Sequence, residues 1–175
     1  PRQRVMHIIA GLDVGGAETQ LVMLACERRR RGGEDVVVSL LKGGALRARL
    51  EAAGVPVHDL GMRRGLPSPA AVLRLVRLIR RYRPAVVQSW MYHADLLATL
   101  ALRCSGRWYA TPLVWGVRCS DMDVRSYSLL FRFVLRFCAR LSAMPNVIVA
   151  NSESGQRVHL GLGYKPFRWR VIDNG

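Results

Sequence analysis

Acidic residues are scarce in this chain: 12 Asp and Glu stand against 27 Lys and Arg, leaving a formal charge of +15 over 175 residues. Lysine is nearly missing too, since Lys42 and Lys165 are the only lysines and every other such cation is arginine. The excess attracts anionic partners, whether nucleic acid, lipid headgroups or phosphorylated substrates, and a compositional bias of the source genome is the plain alternative. Cysteine is confined to Cys26, Cys104, Cys119 and Cys138. With no C-x-x-C pair these exclude a zinc site or a disulfide framework and read as buried thiols in a reducing cytosol. No stretch approaches the roughly 18 apolar residues that cross a bilayer, and the first apolar run is too short for a signal-peptide core, so neither a spanning nor an exported chain is expected. Several catalytic signatures are absent as well. There is no G-x-G-x-x-G, and the second apolar run ends in Leu40-Leu41-Lys42 rather than an acid, which disfavours a nicotinamide enzyme. No Walker lysine, G-x-S-x-G or H-x-x-x-H occurs, so ATPase, serine hydrolase and zinc hydrolase readings lack their chemistry.

Half of the residues are apolar, and 175 residues suffice for one substantial core, so a single globular domain over residues 1–175 is expected. Short β-branched runs recur at Val5 to Ala10, Val36 to Leu41, Val55 to Leu60, Ala85 to Ser89, Leu113 to Val117, Val147 to Ala150 and Arg168 to Ile172. Stretches of helical period, over about 17–31, 44–53, 69–83, 92–104, 122–143 and 153–162, separate them. This alternation predicts an α/β fold: a Rossmann-like, doubly wound, mostly parallel sheet of about seven strands with helices on both faces. In the common strand order 3-2-1-4-5-6 the ligand crevice opens where strands 1 and 4 part. The loop after strand 1 then faces the segment after strand 4.

That first loop is Gly11-Leu-Asp13-Val-Gly15-Gly16-Ala17-Glu18. Glycine permits tight turns and close backbone approach, and the amides of a new helix attract an anion, so the loop is a candidate phosphate cradle; a turn that binds nothing is the alternative. Across the crevice, His93 opens a helix beside Tyr92 and Asp95, within reach of ligand hydroxyls or phosphate, unless it is a capping or surface histidine. His7 and His58 read as packing residues within strands, and His159 as a helix-surface residue. Gly116-Val-Arg118 ends strand 5 at the same edge, where a guanidinium reaches phosphate or sugar oxygens; a solvated loop arginine competes with this reading. Asp121-Met-Asp123 has the form of a metal-holding D-x-D, but Ser120 and Asp121 precede a long helical pattern and read as caps.

Taken together, Gly11-Leu-x-x-Gly15-Gly16-Ala17-Glu18, Ser89-Trp-Met-Tyr-His93-Ala-Asp95, Gly116-Val-Arg118, Asn151-Ser152-Glu153 and Val171-Ile-Asp-Asn174-Gly175 resemble the N-terminal domain of a family 4 retaining glycosyltransferase of the GT-B architecture. Their order and spacing cover essentially the whole chain. The resemblance implies the N-terminal, acceptor-side half of a GT-B fold, with a C-terminal donor-binding domain that this chain does not include. It implies a nucleotide-sugar donor, a lipid-linked or saccharide acceptor, and no metal or other cofactor. By matched position Gly15 and Gly16 meet the donor diphosphate and His93 is catalytic, beside the transferred sugar. Tyr92, Asp95 and Arg118 lie on the acceptor side. The half-enzyme alone is expected to fold without transferring sugar.

On the predicted helix after strand 5, Arg125, Arg132, Arg136 and Arg140 fall on one stripe with Leu129 and Phe133, leaving Leu130, Phe131, Val134 and Cys138 for the core. Basic and apolar groups interleaved in this way suit the headgroup zone of an anionic membrane, and a solvated face is the alternative. A cytoplasmic protein held peripherally on the inner face of the membrane is therefore expected. Two further classes stay open. A non-catalytic basic domain for nucleic acid is favoured only by charge and lacks a recognition helix or an aromatic platform. Another Rossmann-like enzyme for a phosphorylated metabolite or nucleotide is the second.

Overall fold

The β-branched runs form the strands of one sheet: β1 (Val5–Ile9), β2 (Val36–Ser39), β3 (Val57–Asp59), β4 (Val86–Trp90), β5 (Leu113–Val117), β6 (Val147–Ala150) and β7 (Trp169–Val171). Six helices alternate with them in the computed structural model: α1 (Gly16–Arg30), α2 (Arg47–Ala52), α3 (Pro69–Tyr82), α4 (Tyr92–Cys104), α5 (Leu129–Leu141) and α6 (Glu153–Gly161). The structure describes residues 3–62, 68–119 and 127–173. The strand order is β3-β2-β1-β4-β5-β6-β7, the expected order carried one strand further. Each neighbouring pair is parallel, so the sheet is wholly rather than mostly parallel.

Side chains alternate across a strand, and β1 shows what each face receives. Met6 and Ile8 enter a core with Val38, Val87 and Trp115 of the neighbouring strands and Leu75, Ile79, Ala98, Leu102, Leu135 and Cys138 of α3, α4 and α5. Ile9 enters the opposite core with Val37, Trp90 and Leu21, Val22, Ala25 and Leu50 of α1 and α2. Each fully buried aliphatic chain of this kind contributes about 1.5–3 kcal/mol before entropy is charged. On α3, Leu75, Val76 and Ile79 are buried while Arg74, Arg77 and Arg81 are exposed, as its periodicity requires.

Helix ends follow local chemistry. Proline opens α3, where its missing N–H costs nothing. The Ser152 hydroxyl accepts from the Gly155 amide at 3.0 Å to start α6. The predicted long helix after β5 is shorter, because Ser128 caps α5 by accepting from the Phe131 amide at 3.3 Å. Ser120, Asp121, Asp123 and Arg125 lie outside the described residues.

Three expectations change. Of the cysteines only Cys138 is buried; Cys104 is exposed, Cys26 and Cys119 are half-buried, and none is in a disulfide. His159 is buried rather than on the surface, because the opposite side of α6 carries its polar residues. On α5, Leu130 is 49% exposed and Leu135 takes its place in the core, since Leu135 lies three residues ahead of Cys138 and shares its buried face.

Candidate functional site at the carboxyl edge

The loop leaving β1 is tied to the loop leaving β2. The Leu40, Leu41 and Leu46 amides donate to the carbonyls of Ile9, Ala10 and Leu12 at 2.9, 3.0 and 2.9 Å. Gly44 makes this approach possible: its φ is +107°, and a Cβ there would stand 2.6 Å from the Leu12 carbonyl oxygen. Together the two loops wall a cavity of about 290 Å³ bordered by Gly11, Asp13, Lys42, Gly44 and Met62. Beyond it Gly15 is extended (φ −163°, ψ 170°) and serves as the N-cap of α1 without a capping side chain. The first amide closed within the helix is that of Thr19, to the Gly15 carbonyl at 2.9 Å, so the amides of Gly16, Ala17 and Glu18 lie ahead of the helix's own ladder. A Cβ on Gly16 would meet nothing within 4 Å. The Glu18 carboxylate curls back onto Gly15, offsetting the positive end of the helix.

The next strand of the edge is β4. Trp90 at its end pairs in register with Ile9 on one side and Gly116 on the other. Met91 then turns the chain with φ 69° and ψ 164°, a conformation that costs a residue with a Cβ on the order of 1–3 kcal/mol. It is held there because its amide donates to the Gly116 carbonyl at 3.0 Å while its own carbonyl accepts from the Asp95 amide at 3.0 Å. His93 thereby comes to the first turn of α4, half-buried, with its imidazole 5.8 Å from the Phe131 ring between centroids. Burial holds its pKa below the ordinary histidine value, so the ring is neutral at pH 7.

Arg118 lies past the end of β5 with its guanidinium 4.4 Å above the Trp90 ring, and burial lowers its pKa. Trp90 is itself fixed from beneath: its indole N–H donates to His7 Nδ1 at 3.3 Å, and His7 Nε2 donates to Asp35 at 3.2 Å. Asp35 also accepts from the Arg28 guanidinium at 2.7 Å. His7 is therefore a buried structural link to the residue under Arg118, in keeping with its reading as a packing residue. His58 bonds the Tyr82 hydroxyl at 2.7 Å, far along β3.

Gly15, Gly16, His93 and Arg118 thus share the carboxyl edge of β1, β4 and β5, at the point where the strand order reverses. Tyr92 and Asp95 do not join them. Tyr92 is 2% exposed and Asp95 0%, so in this fold both side chains are buried beneath the edge rather than open to the crevice. The His159 Nδ1–H donates to the Gly155 carbonyl at 2.7 Å, which leaves Nε2 to accept from the Tyr92 hydroxyl at 3.0 Å. Asp95 accepts from the Ser89 hydroxyl at 2.5 Å, and its other oxygen is buried without a partner. Burial pushes this carboxyl up to about 7 against the single opposing hydrogen bond. Of the proposed membrane residues, Phe133 (61% exposed), Arg136 and Arg140 are on the outer face of α5, whereas Arg132 is half-buried. Trp90 belongs to the Ser89–Asp95 segment and Phe131 reads as a core residue, but only the register of β4 and the packing of α5 on α4 set them beside Arg118 and His93.

The glycosyltransferase family 4 model matches residues 14–175, nearly the whole chain. The chain belongs to that family. No curated protein matches it significantly. Among solved structures, HepE of Anabaena in complex with UDP superposes with a TM-score of 0.78 at 21% identity, covering 99% of this chain and 44% of that one. A glycosyltransferase of Rickettsia africae superposes with 0.68 at 15% identity over 99% of this chain and 43% of that one. The lipopolysaccharide outer core galactosyltransferase WaaB, in its apo form, does so with 0.68 at 13% over 98% and 46%. At such identities the likeness is one of fold. This family 4 chain spans less than half the length of each of those proteins, with the sheet and helices of one Rossmann-like, GT-B half. Among the described residues no helix is long and apolar enough to cross a membrane.

Proposed function

We propose that this family 4 domain is the acceptor-side half of a retaining hexosyltransferase that moves a sugar from a nucleotide-sugar donor to a lipid-linked or saccharide acceptor. The observation that carries the reading is the convergence of Gly15, Gly16, His93 and Arg118 on one sheet edge at the reversal of strand order. In this reading the amides at the start of α1 take charge from the departing diphosphate without a metal, as backbone donors aimed at developing negative charge do. Neutral His93 hydrogen-bonds the transferred sugar, and Arg118, steadied on Trp90, faces the acceptor. A second Rossmann-like domain holds the nucleotide, so the 175-residue chain folds alone but transfers nothing. HepE, with UDP bound, supports a nucleotide donor of this type.

The outer face of α5 supports attachment to the cytoplasmic leaflet. Leu129 is 79% exposed beside Phe133, Arg136 and Arg140, and no acidic residue occurs on the helix. A protein held there meets a lipid-linked acceptor at its source. The decisive experiment is His93→Ala in the complete enzyme, assayed for sugar transfer. Loss of turnover with preserved folding is expected, and unchanged turnover refutes the role of His93. Co-sedimentation with phosphatidylglycerol vesicles, but not neutral ones, is expected for the membrane part; equal binding to both, or to neither, refutes it.

A further inference from the structure

The amino-terminal turn of α5 does more than expose an apolar face. Phe131 sits where three other rings meet: Tyr92 edge-on at 5.6 Å, His93 tilted by 37° at 5.8 Å and Tyr127 tilted by 43° at 4.7 Å. Its backbone is pinned independently, because its amide is the one that donates to the Ser128 cap. Tyr92 below it is fixed through His159, so the ring that touches His93 is held from two sides. His93, by contrast, has no hydrogen-bond partner among the bonds of the described residues that fix Tyr92, Asp95 and Trp90. The ring contact it makes among the described residues is with Phe131.

We propose that Phe131 is the positioning residue of His93: the α5 ring shields one side of the imidazole and sets its orientation toward the crevice. The proposal rests on His93 acting in transfer, and its test separates the two claims. A ring at this distance acts in two ways. It excludes water from one face of the imidazole, which keeps the neutral form dominant, and it restricts χ2 so that one nitrogen faces the crevice. Among the described residues the ionisable groups on the elements around His93 are Tyr92, Asp95, Arg103 and Cys104 of α4, Tyr127 ahead of α5, Arg132, Arg136, Cys138 and Arg140 on it, and Arg118 and Cys119 beyond β5. Among the described residues burial is the cause of the His93 shift, so removing the shielding ring must move it. A misplaced imidazole is expected to lower turnover on the order of 10-fold to 100-fold, the cost of a displacement of about 1 Å in a positioned group.

The test uses nuclear magnetic resonance of this chain and kinetics of the complete enzyme. In Phe131→Ala the His93 titration midpoint rises toward the ordinary histidine value, and the ring-current shift of its Cδ2 proton is lost; Phe131→Tyr restores both. If Phe131→Ala does not fold, Phe131→Leu keeps the volume without the aromatic ring, and loss of the ring-current shift is then the expected result. In the complete enzyme the acid limb of the pH–rate profile moves upward with Phe131→Ala and returns with Phe131→Tyr. An unmoved midpoint and Cδ2 shift in a folded Phe131 variant overturns the proposal while leaving the role of His93 intact. Full turnover in His93→Ala overturns the role of His93, and with it any part of Phe131 in transfer.

Discussion

Replacing Asp95 by asparagine is predicted to stabilise the protein in alkali and to invert its response to acid. The carboxyl is 0% exposed, its one hydrogen bond comes from Ser89, and its pKa stands at about 7 where the ordinary value is 3.8. A rise of about three units at 1.36 kcal/mol each means that the ionised carboxylate costs the native state about 4 kcal/mol above pH 7. Asparagine removes the charge and keeps an acceptor for Ser89, but it leaves a buried amide N–H₂ where the carboxylate oxygen already lacks a partner, a cost of about 1–3 kcal/mol. The variant should therefore be more stable than the wild type by about 1–3 kcal/mol at pH 8. The sign then reverses with acid. Because the folded-state pKa is raised, the native wild type holds a proton that the unfolded chain lacks between pH 7 and about 4, and it gains stability as pH falls through that window. Between pH 8 and pH 5 the wild type should gain about 2–3 kcal/mol relative to the variant. His58, His93 and His159 act the other way: their native pKa values lie below 6.5, so the stability of their neutral forms is full above that value and is lost as pH falls toward the lowered pKa. With asparagine at position 95 only that loss remains. Urea unfolding at half-unit steps from pH 5 to 8.5, followed by far-ultraviolet circular dichroism, measures both curves. Parallel curves for the two proteins would refute the reasoning, since they would mean that Asp95 titrates alike in the folded and unfolded chains.

Gly44→Ala should cost about 2–4 kcal/mol in the same assay, because it adds a Cβ 2.6 Å from the Leu12 carbonyl oxygen at a φ of +107°; a loss below about 0.5 kcal/mol would mean the two loops part easily. Ser152→Ala removes the acceptor of the Gly155 amide and should cost about 1 kcal/mol, with Ser152→Asp restoring it. Tyr92→Phe leaves His159 Nε2 without its donor and should cost about 1–2 kcal/mol while the fold persists; an unchanged midpoint would place the hydroxyl outside the core. Phe133→Ser with Arg136→Gln should abolish binding to anionic vesicles without changing the melting temperature by more than about 2 °C, since both side chains are exposed; retained binding would assign the membrane contact to another face.

Periodicity and glycine placement in the sequence determined the number and order of the elements, the parallel sheet, and the neighbourhood of Gly15, Gly16, His93 and Arg118. Those features follow from local patterns: a β-branched run reads as a buried strand wherever it occurs, and a βαβ chain closes with one handedness. What lies inside that neighbourhood was decided by tertiary structure. Tyr92, His93 and Asp95 follow one another within a single turn of α4, and the sequence gives each the same access to the crevice. The helix directs Tyr92 toward α6, where its hydroxyl donates to His159, and Asp95 toward β4, where one carboxylate oxygen accepts from Ser89, and leaves His93 at the edge. A rotation of about 100° per residue separates a half-exposed side chain at the sheet edge from a buried one, and only the packing partners on other elements set its zero. The same holds for Phe131 and Leu130. They are adjacent in sequence and alike in hydrophobicity, yet the cap at Ser128 starts the helix so that one meets His93 and the other meets solvent.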